Sequence, residues 1–440
     1  MRHRHFHRVL LGTVLAAAAT LRAEPWTLDR AVATALERSP DARVARARLD
    51  GARALVDQTD AAWRPQVGLS GRYTATNSAM PAFGAILNQR AFDFGLDFNR
   101  PGTVDNLNTT GTVAYNLYSG GRTATRTAAR AGSEAAALDL RAAHAQLAAA
   151  VVRSALRLRQ AREADAATAA AVAALEAAVA AGQARHAAGQ LLKADLLSLE
   201  VRLAEARETR SSARHAAALA ARTFLFVLGL DPADPASVVL ADSDPALARL
   251  TLPDTAVHSA RPELLALGAR LRAAEAQVDA ARGTRRPAVN AFASYQFDHG
   301  WSTARHGDGW LAGVSVDVQV FDGGSAAAKV RAASAEVAVL REQLRHATLA
   351  LGLEVESARL AHADAAERLA VSARAVAQAE ESAHLSRARF AREALLAADL
   401  LGAESRLLEA RLRRADALSA ERLAVVDLRR ALGLDPLPAP

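Results

Sequence analysis

At 440 residues, with 51% hydrophobic but only 4% aromatic side chains and long Ala-Leu-Arg-Glu tracts, the chain has the make-up of extended helices rather than of a thick globular core. The net charge of +7 does not point to nucleic acid, because Arg2, Arg4, Arg8 and Arg22 precede Glu24 with no acid among them and the remainder carries only +3. The absence of cysteine excludes a disulfide framework, a thiolate metal site and a cysteine nucleophile.

Residues 1–23 read as a secretory signal peptide: Arg2, Arg4 and Arg8 form the positive region, Val9 to Ala19 the apolar region, and Leu21-Arg22-Ala23 the cleavage site. His3, His5 and His7 fall inside it and are not taken as a metal tract. No later stretch offers some 18 to 20 uninterrupted apolar residues, so no membrane-spanning helix is expected. The first mature helix is capped by Thr27 or Asp29, breaks at Ser39-Pro40 and ends before Arg64-Pro65.

From 66 to 76 the period changes to two: Val67, Leu69, Gly71, Tyr73 and Ala75 alternate with Gln66, Gly68, Ser70, Arg72 and Thr74, giving a strand with one apolar and one polar face. Residues 77–109, broken by Pro81, Gly84, Pro101 and Gly102, read as a long loop. A second alternating run over about 110–118 returns as the other arm of a hairpin. Ser119-Gly120-Gly121 is the turn into a proline-free helix over 122–187, about 100 Å long at about 1.5 Å per residue. The same turn faintly resembles a phosphate loop, but no Gly-Lys-Ser/Thr follows. The chain reverses near Gly189, and a second long helix over 191–228 ends at Gly229-Leu230-Asp231-Pro232. Residues 234–254, with Pro235, Pro245 and Pro253, form a linker.

The second half replays the first, which divides the mature chain into repeats of 24–240 and 241–440. Arg286-Pro287 answers Arg64-Pro65, and strands are expected over about 288–297 and 311–320 with a short outer loop from Asp298 to Trp310. His299, His306 and Asp308 in that loop are weighed as metal ligands and set aside as loop polarity. Asp322-Gly323-Gly324 answers Ser119-Gly120-Gly121, and long helices follow over 325–391 and 395–432. The copies are plainest at the helix reversals, where residues 184–207 and 388–411 match at 15 of 24 positions. There Leu192, Leu196, Leu199, Leu203 and Ala206 set an apolar seam that Leu396, Leu400, Ala403, Leu407 and Ala410 repeat.

Two amphipathic hairpins cannot bury one face alone in water. Strands of about nine to eleven residues suit a membrane-spanning β-strand, apolar outward and polar toward a lumen. Lipid forbids an open edge, so four strands must close with strands of other chains into an oligomeric barrel. Trp301, Trp310, Tyr73 and Tyr295 near the outer ends suit an interfacial aromatic belt. No nucleophile, base and orienting group cluster, so an enzyme is not expected, nor is a cofactor.

The duplicated order of helix, strand, strand, long helix, long helix, with Arg64-Pro65, Arg286-Pro287, Asp322-Gly323-Gly324, the Ala-Asp-Leu-Leu blocks at Ala194 and Ala398 and both Gly-Leu-Asp-Pro ends, resembles the TolC-like outer-membrane efflux protein family over essentially the whole mature chain. The resemblance implies a mostly α chain with a small β part, closing as a homotrimer with a 12-stranded barrel in the outer membrane and a 12-helix barrel through the periplasm. It further implies an exit duct for efflux or type I secretion, met by a periplasmic adaptor and an inner-membrane transporter. By the same resemblance Asp399 falls on a carboxylate position that closes the pore at the periplasmic tip, with Gly402 where a second acid often stands, and Phe390 on a gate-tether position. The other role open to Asp399 and its twin Asp195 is that of a carboxylate favoured at a helix N-terminus. Arg185, Gly189, Gln190 and Leu191, with Arg389, Arg392 and Leu395, align with the tip segments that meet the adaptor. The alternative is an exported coiled-coil scaffold without a pore.

Overall fold

The computed structural model describes residues 25–97, 99–233, 238–241, 244–252 and 261–437. The expected signal peptide and part of the 234–254 linker lie outside them. Helices α1 (Leu28–Arg38) and α2 (Pro40–Ala61) are separated at Ser39, since proline fits a first helical turn but not an interior. Thr27 caps α1 by accepting from the Arg30 amide at 3.3 Å, while Asp29 pairs with Arg249 at 2.7 Å. Strand β1 (Gln66–Thr76), helix α3 (Ala79–Asn88) and strand β2 (Val104–Ser119) follow. The rods α4 (Arg122–Ala187) and α5 (Lys193–Val227), the short α6 (Pro245–Ala248) and α7 (Pro262–Gly283) lead to β3 (Ala288–Gly300) and β4 (Arg305–Asp317). Two further rods, α8 (Ser325–Ala391) and α9 (Ala397–Ala431), end the described chain.

Three expectations need correction. Residues 77–109 are not all loop: α3 occupies 79–88, with Pro81 in its first turn where no intrahelical donor is lost, and β2 begins at Val104 rather than 110. The outer turn of the second hairpin is only Trp301–Ala304, because His299 and His306 pair across the β3–β4 ladder instead of lying in a loop. At the other end β4 stops at Asp317, opposite Ala288, so residues 318–320 have no strand to pair with.

The hairpins are not separate. The four strands form one antiparallel sheet in chain order, with β2 pairing β3 from Leu107↔His299 to Ser119↔Ala288 and a bulge between Asn116 and Tyr118. Below it the helices make a long layer: α4 packs on α2 and α7 near the sheet and on α5 and α9 further down, and α8 packs on α7 and then α9. The principal core joins α1, α4, α5 and α9 through Leu28, Val151, Val152, Leu158, Phe224, Leu228 and Val426. An alanine-rich stretch of α4 is apolar enough by composition to span a membrane, and a third of it is buried; Val172, Leu175 and Val179 of α4 pack against α5 and the α8–α9 turn.

Candidate functional site

The sheet has two unlike faces. Cross-strand register places Val67, Leu69 and Tyr73 of β1 beside Val113, Gly111 and Leu107 of β2, then Ala293 and Tyr295 of β3, then Ala312, Trp310, Val314 and Val316 of β4. Nothing among the described residues covers this face: Val67 is 78% exposed, Leu69 81% and Trp310 78%. Tyr73 and Trp301 approach at 5.8 Å between ring centres, and Tyr295 faces Trp310, so the aromatic belt is assembled on the apolar side at one end. The opposite face carries Gln66, Ser70, Thr74, Asn106, Asn108, Thr110, Asn290, Ser294 and Gln296. Phe292 and Leu311 are the exceptions on this face: Leu311 pairs with Ser294, and Phe292 lies over Gly313, where a Cβ would come within 2.9 Å of its ring. Such a sheet needs lipid on one flank and water on the other. His299, His306 and Asp308 do not gather as ligands: Asp308 accepts from the Tyr295 hydroxyl at 3.0 Å and from Arg90 at 2.9 Å, and no metal-binding cluster occurs among the described residues.

Two joints connect sheet to rods. In the first repeat Gly120 and Gly121 lie against Gly283 at the end of α7, so close that a Cβ at Gly283 would stand 2.5 Å from their backbone. Ser119 is the last residue of β2 and caps nothing. Arg122 instead ties the joint, donating to the Asn116 carbonyl at 2.6 Å and lying 3.7 Å over the Trp63 ring. In the second repeat Gly323 and Gly324 adopt φ of +64° and +89° with open space around them. Asp322 caps α8 there, accepting from the Gly324 amide at 2.9 Å and the Ala326 amide at 2.6 Å. These bonds hold its carboxyl below the ordinary value, the Ala326 amide most strongly.

At the far end the two reversals form a tip. Gly189 turns the first with φ +74°, and Glu393 takes the corresponding left-handed conformation at +64°. Asp195 and Asp399 both sit in first helical turns, and neither has an ion pair or side-chain hydrogen bond among the described residues, but Asp195 is half-buried while Asp399 is exposed. Phe390 is 3% exposed and packs with Leu199, Ala397 and Leu400. Arg185 crosses from the first repeat, donating to the Phe390 carbonyl at 3.2 Å with its guanidinium 4.9 Å from the ring centre. Arg185, Leu191 and Leu395 are therefore turned into the tip, while Gly189, Gln190, Arg389 and Arg392 face outward. The sequence seam hid two residues: Leu192 and Leu396 cap α5 and α9 in extended conformation and are 73% and 71% exposed. Deeper, Arg387 makes a two-pronged pair with buried Glu404 at 2.5 and 2.7 Å.

An open two-faced sheet standing on rods of about 100 Å defines a protomer of a channel that crosses a membrane and a compartment behind it. A model of the family described as outer membrane efflux protein matches residues 31–230 and 255–434, and the chain belongs to that family. It is thus a channel subunit of the Gram-negative outer membrane with a periplasmic helical barrel, not an enzyme, and the pore-less scaffold is set aside. Its family assembles as trimers that work with adaptors and pumps. Among solved structures, the chain is similar to VceC of Vibrio cholerae (21% identity, 92% of this chain and 96% of that one, TM-score 0.75). CmeC of Campylobacter jejuni (15%, 92% and 85%, 0.80) and MtrE of Neisseria gonorrhoeae (18%, 93% and 90%, 0.73) share the fold as well. Comparison with curated proteins finds no match.

Proposed function

We propose that the helical tip is both the gate of this exit duct and its docking face for a periplasmic adaptor, which in turn links it to an inner-membrane transporter. Three copies of Asp399 around the axis form a carboxylate ring that retards anions and holds cations, as charged rings do in other pores. The observation that carries this reading is the unequal exposure of the twin acids: neither has a side-chain partner among the described residues, but Asp195 is half-buried whereas Asp399 stands exposed at the tip. Gly402 leaves the ring single. The Arg185–Phe390 contact ties the second-repeat coil to the first and keeps the tip closed, so Phe390 serves through its carbonyl and ring rather than through a hydroxyl. Gly189, Gln190, Arg389 and Arg392, with the exposed Leu192 and Leu396, offer the adaptor an apolar spot ringed by polar groups.

In planar bilayers Asp399→Asn is expected to lower cation selectivity and Arg185→Ala to raise single-channel conductance. Unchanged selectivity in Asp399→Asn would remove the ring. A cysteine at Gln190 is expected to cross-link to the adaptor in cells, and a cysteine at Ser70 in the barrel is not.

A further inference from the structure

The outer segment between β1 and β2 is folded onto the polar face of the sheet, the one turned to the bore. Gln89, which caps α3, is fully buried there. Its amide nitrogen donates to the Asp105 carbonyl at 2.7 Å and to Asn106 Oδ1 at 2.9 Å, and its Oε1 accepts from the Thr303 hydroxyl at 2.6 Å. Asn106 passes the network on to Asp298 at 2.6 Å, and Asn108 reaches the same carboxylate oxygen at 2.9 Å. Two glycines on this face keep the landing place clear: a Cβ on Gly300 would strike the Gln89 side chain, and one on Gly307 the Asn88 carbonyl. Ala82 and Ile86 of α3 close the contact against Val104.

What α3 and its following turn show on the other side is greasy. Met80 is 78% exposed and Phe94 94%, with Leu87 and Phe92 also open. Lipid cannot cover them, because it lies on the other face of the sheet. Four strands from each of three copies close a barrel whose backbone lies about 12 Å from the axis, at strand spacings of about 4.8 Å and tilts of about 40°. A helix with its side chains is about 10–12 Å across. Three helices set against that wall leave no open bore at their level, so each apolar surface meets its two counterparts.

We infer that α3 and the turn after it are a plug: three copies meet on the threefold axis and shut the outer mouth to bulky solutes, with Gln89 as the pin that holds each copy to the wall. This outer barrier is separate from the tip, at the opposite end of the rods.

The chain has no cysteine, so single thiols report cleanly. Oxidation of trimers carrying Met80→Cys or Phe94→Cys is expected to give covalent dimers, three thiols on an axis pairing two at a time. In intact cells, Ser70→Cys on the bore face is expected to react with a bulky impermeant maleimide about tenfold faster once Gln89→Ala removes the buried hydrogen bonds of the pin. The external reagent does not pass the tip, so the rate reads the mouth alone. If Gln89→Ala does not assemble, replacement of residues 79–102 by a short Gly-Ser turn gives the same comparison. Heat-sensitive trimer bands show that the barrel itself has formed. With that band present, absence of both cross-links, or an unchanged labelling rate, overturns the plug.

Discussion

The two repeats run through one order of elements, yet at equivalent places they solve different physical problems. At the upper joints both use Gly-Gly. Gly120 and Gly121 are there because α7 comes too close for a Cβ, and Gly323 and Gly324 because the backbone turns left-handed in open space. Near the tip, Arg387 and the buried Glu404 of the second repeat form a two-pronged pair where the first repeat has Gln183 and Glu200 at 3.5 Å in solvent. Duplication thus copied the pattern of elements, while packing against different neighbours reassigned what individual residues do. By contrast Arg207–Glu176 and Arg411–Glu380, both 2.8 Å and both at the surface, are one pair kept twice.

The sharpest way to break this comparison is at the joints. Gly283→Ala must push apart two backbones and is expected to cost about 3 kcal/mol or prevent trimer formation, against about 1 kcal/mol for Gly324→Ala, where only left-handed strain is added. Melting of the heat-resistant trimer band compares the two, and equal losses would show that the joints are equivalent after all. Next in size, Glu404→Ala strands a half-exposed Arg387 and is expected to cost about 2 kcal/mol, while Glu200→Ala changes stability by less than about 0.5 kcal/mol in the same assay.

A gain is expected at the second tip. Glu393→Gly relieves left-handed strain that Gly189 never incurs, and is expected to add about 0.5 kcal/mol after the flexibility it gives the unfolded chain. The smallest effect is the acid response of the second joint. Because the Asp322 carboxyl is held below its ordinary value near 3.8, its contribution is complete above that pH and is lost as pH falls through the folded value. Acid melting of the wild type is expected to show this loss and Asp322→Ala to lack it; the first joint, with no capping carboxylate, has no counterpart.

The helix tips illustrate how far a seam can be read. The spacing that puts Leu199, Leu203, Leu400 and Leu407 inside is visible in the chain, and all four are buried. The same spacing puts Leu192 and Leu396 inside, yet both stand in solvent, because each is the extended residue before its helix begins and the helical period does not apply to it. Arg185 looks like a surface residue from its neighbours in sequence; only the approach of the other repeat gives it Phe390.

By itself the sequence determined the duplication, the rods and the alternation of the strands, since each depends on residues a few positions apart. The tertiary structure decided that β2 joins β3 into one sheet, that Gly283 must make room for Gly120, and that a segment with proline, glycine and no clear period becomes a helix pinned through Gln89. Those outcomes depend on partners about 15 to more than 200 positions away, whose meeting is fixed by packing and by the need of buried polar groups for hydrogen bonds, and no local period records it.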